Sequence, residues 1–353
     1  MYLKSLFLRN FRNYTDAQIH FGPRINVIAG ENAQGKTNLL EALYLLSCGR
    51  SFRTPHLSEL IQKGKTFFYL EAHLEKNGIT ETLKLHFDGK TKKFQFNSTL
   101  YLSFNSLLGV MPQVLHAPSD LDLIASVPSV RRRFLNIHLA QHDPMYVHHL
   151  LRYYKAMKQR NFLLKSRRIE GIECWEEEMA LSANYLIAAR TKMIEEVQKR
   201  LSPLAEKLLL PQDLEIQYVS SSDPKALWQK HRQKELSYGA TLFGPHRDDF
   251  QIILDKLPAR SFASEGQKEA LSFALRLAEW ERLCEKTELP VLMSIDDFGV
   301  HLDEKRLALL QESLQRFLQV FLTTPREFPD LPYSKGFIIE KGEPKEKIAG
   351  ITE

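Results

Sequence analysis

Apolar and polar positions alternate over residues 2–8, which predicts a strand, and residues 16–21 (Asp-Ala-Gln-Ile-His-Phe) predict a second able to pair with it. Arg24-Ile25-Asn26-Val27-Ile28-Ala29 reads as a short apolar strand running into Gly30, and residues 38–46 have helical composition and period. The texture then changes. Residues 67–70, 82–87 and 93–96 read as strands, separated by the hairpin signals Asn77-Gly78 and Asp88-Gly89.

From about 129 to 208 the spacing is helical. Pro144 suits the first turn of a helix. Leu150, Leu151, Tyr154, Met157, Leu163 and Leu164 follow at helical spacing, and Gly171 separates this run from a second over 172–210. Two long helices with so short a joint fold back as an antiparallel hairpin. Strand-like segments return at 214–219 and 250–254. A helix at 265–286, a strand at 290–295, a helix at 303–317 and a last core strand at 319–323 follow. The whole reads as an α/β domain split by an arm. The expected division is 1–110 plus 240–353 for the α/β domain, with a mostly helical insertion at 111–239.

Gly30-Glu31-Asn32-Ala33-Gln34-Gly35-Lys36-Thr37 matches G-x-x-x-x-G-K-[ST] at every fixed position, between an apolar strand and a helix. Backbone N–H groups of such a loop converge on phosphate oxygens, helped by the positive end of the following helix. Lys36 is placed to contact β- and γ-phosphates, and the Thr37 hydroxyl to ligate Mg²⁺. A chance glycine-rich turn is the bland alternative, outweighed by eight residues in the right context. Residues 290–297 add an apolar strand, interrupted by Ser294, that ends in Asp296 and Asp297. Asp296 is the candidate Mg²⁺ support, and Asp297 the candidate group that orients the attacking water. The expected cofactors are ATP and Mg²⁺.

Phe262-Ala263-Ser264-Glu265-Gly266-Gln267-Lys268 opens the helix at 265–286. Ser264 and Gln267 fit a capping box. Gly266 is a poor helix former, better explained by a close approach of backbone to something, and a helix start with a hydroxyl is a ready anion site. On these residues both readings stay open.

Composition narrows the classes. The 353 residues are 43% hydrophobic and 26% charged, enough to bury a core and too apolar for a disordered chain. No apolar run approaches the ~18 residues of a membrane span. No signal peptide is evident, and Cys48, Cys174 and Cys284 are isolated, so a reducing cytoplasm is expected. The net charge of +5 is modest, but residues 131–168 alone carry ten Lys or Arg against one acid, Asp143, for a local +9. Tyr146, Tyr153 and Tyr154 interleave. Such an imbalance favours a polyanion through counterion release, although Glu170, Glu173, Glu176, Glu177 and Glu178 can offset part of it by pairing. The candidate DNA contacts are Arg131, Arg132, Arg133, Lys155, Lys158 and Arg160. No base-reading motif is visible, so backbone recognition is expected. Arg50 and Arg53 either face DNA or form structural ion pairs.

The chain resembles the RecF family of bacterial recombination-repair ATPases, related to SMC and ABC-type heads. The resemblance runs along nearly the whole sequence. It is carried by Leu8-Arg9-Asn10-Phe11-Arg12-Asn13-Tyr14, the phosphate loop with Asn38-Leu39-Leu40-Glu41-Ala42, and Gly49-Arg50-Ser51-Phe52-Arg53-Thr54. Ala117-Pro118-Ser119-Asp120-Leu121, Arg131-Arg132-Arg133-Phe134-Leu135, Lys158-Gln159-Arg160-Asn161 and Phe243-Gly244-Pro245-His246-Arg247-Asp248-Asp249 continue it. No role for this last motif follows from its composition.

The resemblance implies an ABC-type P-loop ATPase head, α/β with a mixed sheet and flanking helices, carrying an inserted helical arm. It implies that Ser264-Glu265-Gly266-Gln267 is a signature motif, so that Ser264, Gly266 and Gln267 of one copy complete the ATP site of another. Two copies then close on two ATP molecules. His301-Leu302-Asp303 falls at the family's subunit-contact loop, where Val300 and His301 replace the usual small and acidic residues. Thr323 and Thr324 stand where many such heads have a switch histidine, and Gln113 is a glutamine-loop candidate. The implied function is an ATP-induced homodimer that binds single-stranded, duplex or gapped DNA in recombinational repair and replication restart. A weak DNA-stimulated ATPase, SOS inducibility, and work with RecR and RecO to load RecA go with it, and no membrane partner. A P-loop kinase of a nucleotide or small molecule leaves the Ser264 motif and the arm without roles. A transporter-coupled ATPase gives no reason for the arm's charge.

Overall fold

In the computed structural model, residues 1–208, 210, 213–287, 289–300, 304–325 and 332–347 are described. Along the chain come β1 (Tyr2–Phe11), β2 (Tyr14–His20), β3 (Arg24–Ala29), α1 (Lys36–Cys48), β4 (Phe68–Lys76), β5 (Ile79–Phe87), β6 (Lys92–Phe96), β7 (Thr99–Tyr101) and β8 (Gln113–His116). Then follow α2 (Leu121–Ala125), α3 (Pro128–Ala140), α4 (Pro144–Lys165), α5 (Ile172–Lys207), β9 (Leu214–Val219), α6 (Pro224–Lys230), α7 (Arg232–Tyr238), β10 (Asp249–Leu254), β11 (Leu257–Pro258) and α8 (Ala259–Phe262). The last elements are α9 (Glu265–Thr287), β12 (Leu292–Ile295), α10 (Glu304–Leu314), β13 (Gln319–Thr324), β14 (Lys335–Glu340) and β15 (Glu343–Lys347).

Two units divide the chain: 1–120 with 276–353, and 121–275. The borders lie at 120/121 and 275/276 rather than at the expected 110/111 and 239/240. The strands after the arm helices pack with those helices. Gln198 of α5 donates to Leu214 O (2.8 Å) and accepts from Ile216 N (2.6 Å), fastening β9 to it.

The first unit holds two six-stranded sheets. One is antiparallel, in the order β2-β1-β4-β5-β6-β7. The Asn77-Gly78 hairpin forms as the sequence predicts, with Lys76 opposite Ile79. At Asp88-Gly89 the connection is longer, and Asp88 accepts from the N–H groups of Lys90 and Thr91. The second sheet runs β15-β14-β3-β13-β12-β8, with β14, β3, β13, β12 and β8 parallel to their neighbours and β15 antiparallel. Its middle strands are apolar and buried on both faces, as a covered parallel sheet requires. Phe21 joins the layers, packing edge-on against Phe321 and Phe337. Gln319 bonds both backbone groups of Leu3. Strand β13 is not the last: β14 and β15 follow it, a weak pattern of Phe337, Ile338 and Ile339 between charged residues.

In the second unit, α4 and α5 form the antiparallel hairpin expected of the arm, and β11-β10-β9 make a small sheet. The short α6 and α7 were not evident in the sequence. Among the described residues, no helix is long and apolar enough to cross a membrane.

Candidate functional site

The phosphate loop lies between β3 and α1. Gly30 has φ +148°, and a Cβ there would sit 2.6 Å from Ile339 O, so the strand beside it leaves room only for glycine. Lys36 is buried and its Nζ donates to Gly30 O and Glu31 O, each at 2.8 Å. Burial pulls the ammonium below the ordinary lysine range, while Asp297 and Asp296 nearby pull it back. Both acids therefore act on the lysine of the loop.

Sheet order brings the acids there. Strand β13 lies between β3 and β12, with Thr323 opposite Ile28. Asp296 Oδ1 accepts from Thr37 Oγ1 (3.0 Å) and from Thr323 Oγ1 (2.7 Å). The Thr323 oxygen in turn accepts from the Asp297 N–H at 2.8 Å. Asp297 adopts φ +53°, the left-handed region. Burial pushes the Asp296 carboxyl above its usual range, and the Asp297 charge adds to this, while the two threonine hydroxyls oppose it. Its hydrogen bonds come from two hydroxyls, and Arg53 acts on it only through its charge. Hydroxyl and carboxylate oxygens this close match the donors Mg²⁺ takes at a P-loop, where phosphates and water complete the shell. No group of three or more His, Cys, Asp or Glu that could hold a metal occurs among the described residues, which such a site does not need.

A brace around the loop was not legible beforehand. Asn13 donates to Gln34 O (2.7 Å) and accepts from Asn38 (2.8 Å), and Tyr14 OH donates to Gly35 O (3.0 Å). Arg12 makes a bidentate pair with the fully buried Glu41 (2.8 and 2.9 Å), which also accepts from Ser51. Arg53 donates to Asn38 (2.7 Å) and reaches Glu41, so it takes the ion-pair role of the two left open. Arg50 is exposed. The turn between β14 and β15 closes the brace: Gly342 N donates to Gln34 O (3.0 Å) and Lys341 N to Gln34 Oε1 (2.6 Å). At Gly342 (φ +83°) a Cβ would lie 2.3 Å from Asn13 O. The only advance signal was a glycine after a short apolar run.

Ser264 and Gln267 form the capping box in full. Gln267 N donates to Ser264 Oγ (3.2 Å) and Ser264 N to Gln267 Oε1 (2.8 Å). Ser264 is exposed at the start of α9 and Gly266 partly so. Gln113 is buried within β8 and donates to Ser294 Oγ at 2.7 Å. His301-Leu302-Asp303 lies outside the described residues.

On the arm, burial corrects two of the six DNA-contact candidates. Arg131 is buried, paired bidentately with Asp249 (2.7 and 2.9 Å), and also donates to Ser126 O. Arg160 is wholly buried, bonded to Glu176 (2.9 Å), Glu235 (2.6 Å) and Thr241 (2.9 Å), with its guanidinium over Trp228. Both are buried against these partners, so neither is accessible to a phosphate. Arg132 and Arg133 are half-buried, and Lys155 and Lys158 are exposed. Arg152, part of the same charge run, is paired with Glu178.

The model of the RecF/RecN/SMC N terminal domain matches residues 2–328. The DNA replication and repair protein RecF of Protochlamydia amoebophila (strain UWE25) is 43% identical over 339 residues, covering 92% of this chain and 94% of that protein. A solved structure of the recombination mediator protein RecF with ATP, of the RecFOR pathway, superposes with a TM-score of 0.91 at 30% identity, covering 98% of both chains. The Smc head domain of Pyrococcus furiosus, with a TM-score of 0.56 at 16% identity, shares the fold.

Proposed function

For a chain that belongs to the RecF family, we propose an ATP-hydrolysing, DNA-binding protein of recombinational repair and replication restart. One observation carries the ATPase part: the loop threonine and the strand-end acid, Thr37 and Asp296, meet at 3.0 Å beside Lys36. The ATP held by the superposable relative supports it.

In this reading the Lys36 ammonium exchanges the carbonyls of Gly30 and Glu31 for β- and γ-phosphate oxygens. Backbone N–H groups of residues 31–37 cradle the rest of the triphosphate. Thr37 and Asp296 hold Mg²⁺, which when bound neutralises charge on the phosphates. Asp297 orients the attacking water, its backbone fixed by Thr323. Ser264, Gly266 and Gln267 of a second copy cover the γ-phosphate, so that ATP closes a homodimer. The capping box is compatible with this, because a capped helix N-terminus still presents its positive end.

The arm supplies the polyanion contact through its exposed cations, without reading bases. Hydrolysis is weak and stimulated by DNA, in a cytoplasmic protein that works with RecR and RecO upstream of RecA. The test separates an ATPase from a kinase of a nucleotide or small molecule. With labelled ATP–Mg²⁺ and DNA, the label is expected in free phosphate. Label on an acceptor nucleotide supplied in the mixture contradicts the proposal.

A further inference from the structure

We propose that Arg132 and Arg247 form a two-arginine clamp for a single backbone phosphate of DNA, with Tyr154 beside it and Lys155 and Lys158 extending the contact. The clamp deepens the DNA-binding role given to the arm and rests on it.

The residues come together through the motif Phe243–Asp249, for which composition gave no role. The turn 244–248 closes with Arg247 N on Gly244 O at 2.8 Å. It is pinned on every side. Arg190 donates to Pro245 O (2.7 Å), and His246 bridges Tyr153 OH (2.7 Å) and Thr241 O (2.9 Å). Asp248 turns inward to Tyr218 OH (2.7 Å) and Arg190 (3.6 Å). Arg247 remains exposed. Arg132 reaches the same turn from α3, donating to Asp248 O at 2.9 Å.

The charges here do not balance. The nearby carboxylates are spent inward, Asp248 as just described and Asp249 on Arg131. Among the described residues, neither Arg132 nor Arg247 is in an ion pair. Burial pulls the Arg132 guanidinium below its ordinary range. Arg190 and Arg247 add to that, against Tyr154 and Asp249. A half-buried guanidinium crowded by two others is costly unless an anion meets it. A phosphate takes two guanidinium forks together, where a lysine offers only a point charge. The rigid turn means little entropy is lost on binding. Tyr154, half-exposed on the adjacent helix, lies next to Tyr153 (ring centres 5.8 Å apart), which bonds the turn. Lys155 and Lys158 are exposed on the same helix as Tyr154, Lys158 one turn further on. A row of cations fits successive phosphates of one strand.

The experiment measures DNA affinity by fluorescence anisotropy across a salt series, on the full chain with ATP–Mg²⁺. Single-stranded and duplex oligonucleotides are compared. Arg247→Gln alters only an exposed side chain, so it tests the clamp whatever Arg132→Gln does to folding. The expected result is an affinity about fivefold or more weaker, with the slope of log affinity against log salt reduced by about one. Arg132→Gln, if folded, adds little to Arg247→Gln, because one phosphate is lost either way. An unchanged slope in Arg247→Gln, with Lys155→Gln and Lys158→Gln still weakening binding, overturns the clamp and leaves the arm reading standing. A wild-type chain that binds no DNA overturns both. Polyglutamate binding as tightly as DNA, with the same loss in Arg247→Gln, overturns the assignment to phosphate.

Discussion

Thr37 Oγ1 and Asp296 Oδ1 lie 3.0 Å apart although 259 positions separate them in the chain. The contact exists because β13 is inserted between β3 and β12, so that the ends of all three strands meet. Thr323, at the end of the inserted strand, bonds the same carboxylate oxygen. Two hydroxyls from separate elements therefore fix where that oxygen points.

Thr323→Val keeps the shape of the fully buried side chain and removes its hydroxyl. Asp296 then loses a donor and the Asp297 N–H its acceptor, a cost of about 1–3 kcal/mol for each group left unpaired. Phosphate release is expected to fall about tenfold or more, with ATP affinity within about threefold of wild type, because the defect lies in positioning rather than in the loop. Thr323→Ser should restore most of the rate. Equal turnover in Thr323→Val would remove the residue from this role.

Lys36 and Asp297 should fail differently. Lys36→Ala removes the phosphate contact and is expected to abolish measurable ATP binding in a titration calorimeter. Asp297→Asn should bind ATP near wild-type affinity while hydrolysing it about a hundredfold more slowly, because the attacking water loses the carboxylate that orients it.

Arg160 is a test of burial against charge. Arg160→Ala leaves Glu235 without its ion pair in the interior and Glu176 with Arg232 alone, which costs about 3–5 kcal/mol. Denaturant unfolding should show this loss. Any folded fraction should keep the wild-type salt slope for DNA, because no phosphate contact is removed.

His246 makes stability depend on pH. Burial lowers the ring to about 4 from 6.5, helped by Arg247, Arg132 and Arg160 and opposed by the Thr241 carbonyl. Between those values the unfolded chain takes up a proton that the folded chain refuses. The contribution is therefore present above pH 6.5, lost as pH falls through the window, and gone below 4. It amounts to at most about 3 kcal/mol. His246→Gln, which can bond both Tyr153 and Thr241, should flatten this part of the pH–stability curve relative to wild type.

How much of this was legible follows from how local each feature is. The phosphate loop is eight contiguous residues between a strand and a helix, so sequence alone placed it. Asp296 was legible as the polar end of an apolar strand. The role of Thr323 depends on which strands flank β13, a fact no local pattern holds. Arg131 and Arg160 looked like surface cations because their acidic partners, Asp249 and Glu235, stand 118 and 75 positions away. The basic count of the arm was right, but which cations face outward was decided by those distant carboxylates. Strands β14 and β15 were missed because three apolar residues among charges carry little periodic signal, yet their turn braces Gln34.

The central claim is that ATP joins two copies, each supplying Ser264 to the other's phosphate loop. Light scattering on the full chain with Mg²⁺ and a non-hydrolysable ATP analogue tests it most directly. The expected particle mass is twice the 40.9 kDa of one chain, falling back to a single chain in Ser264→Arg with nucleotide still bound. A wild-type mass unchanged by saturating analogue would contradict the account.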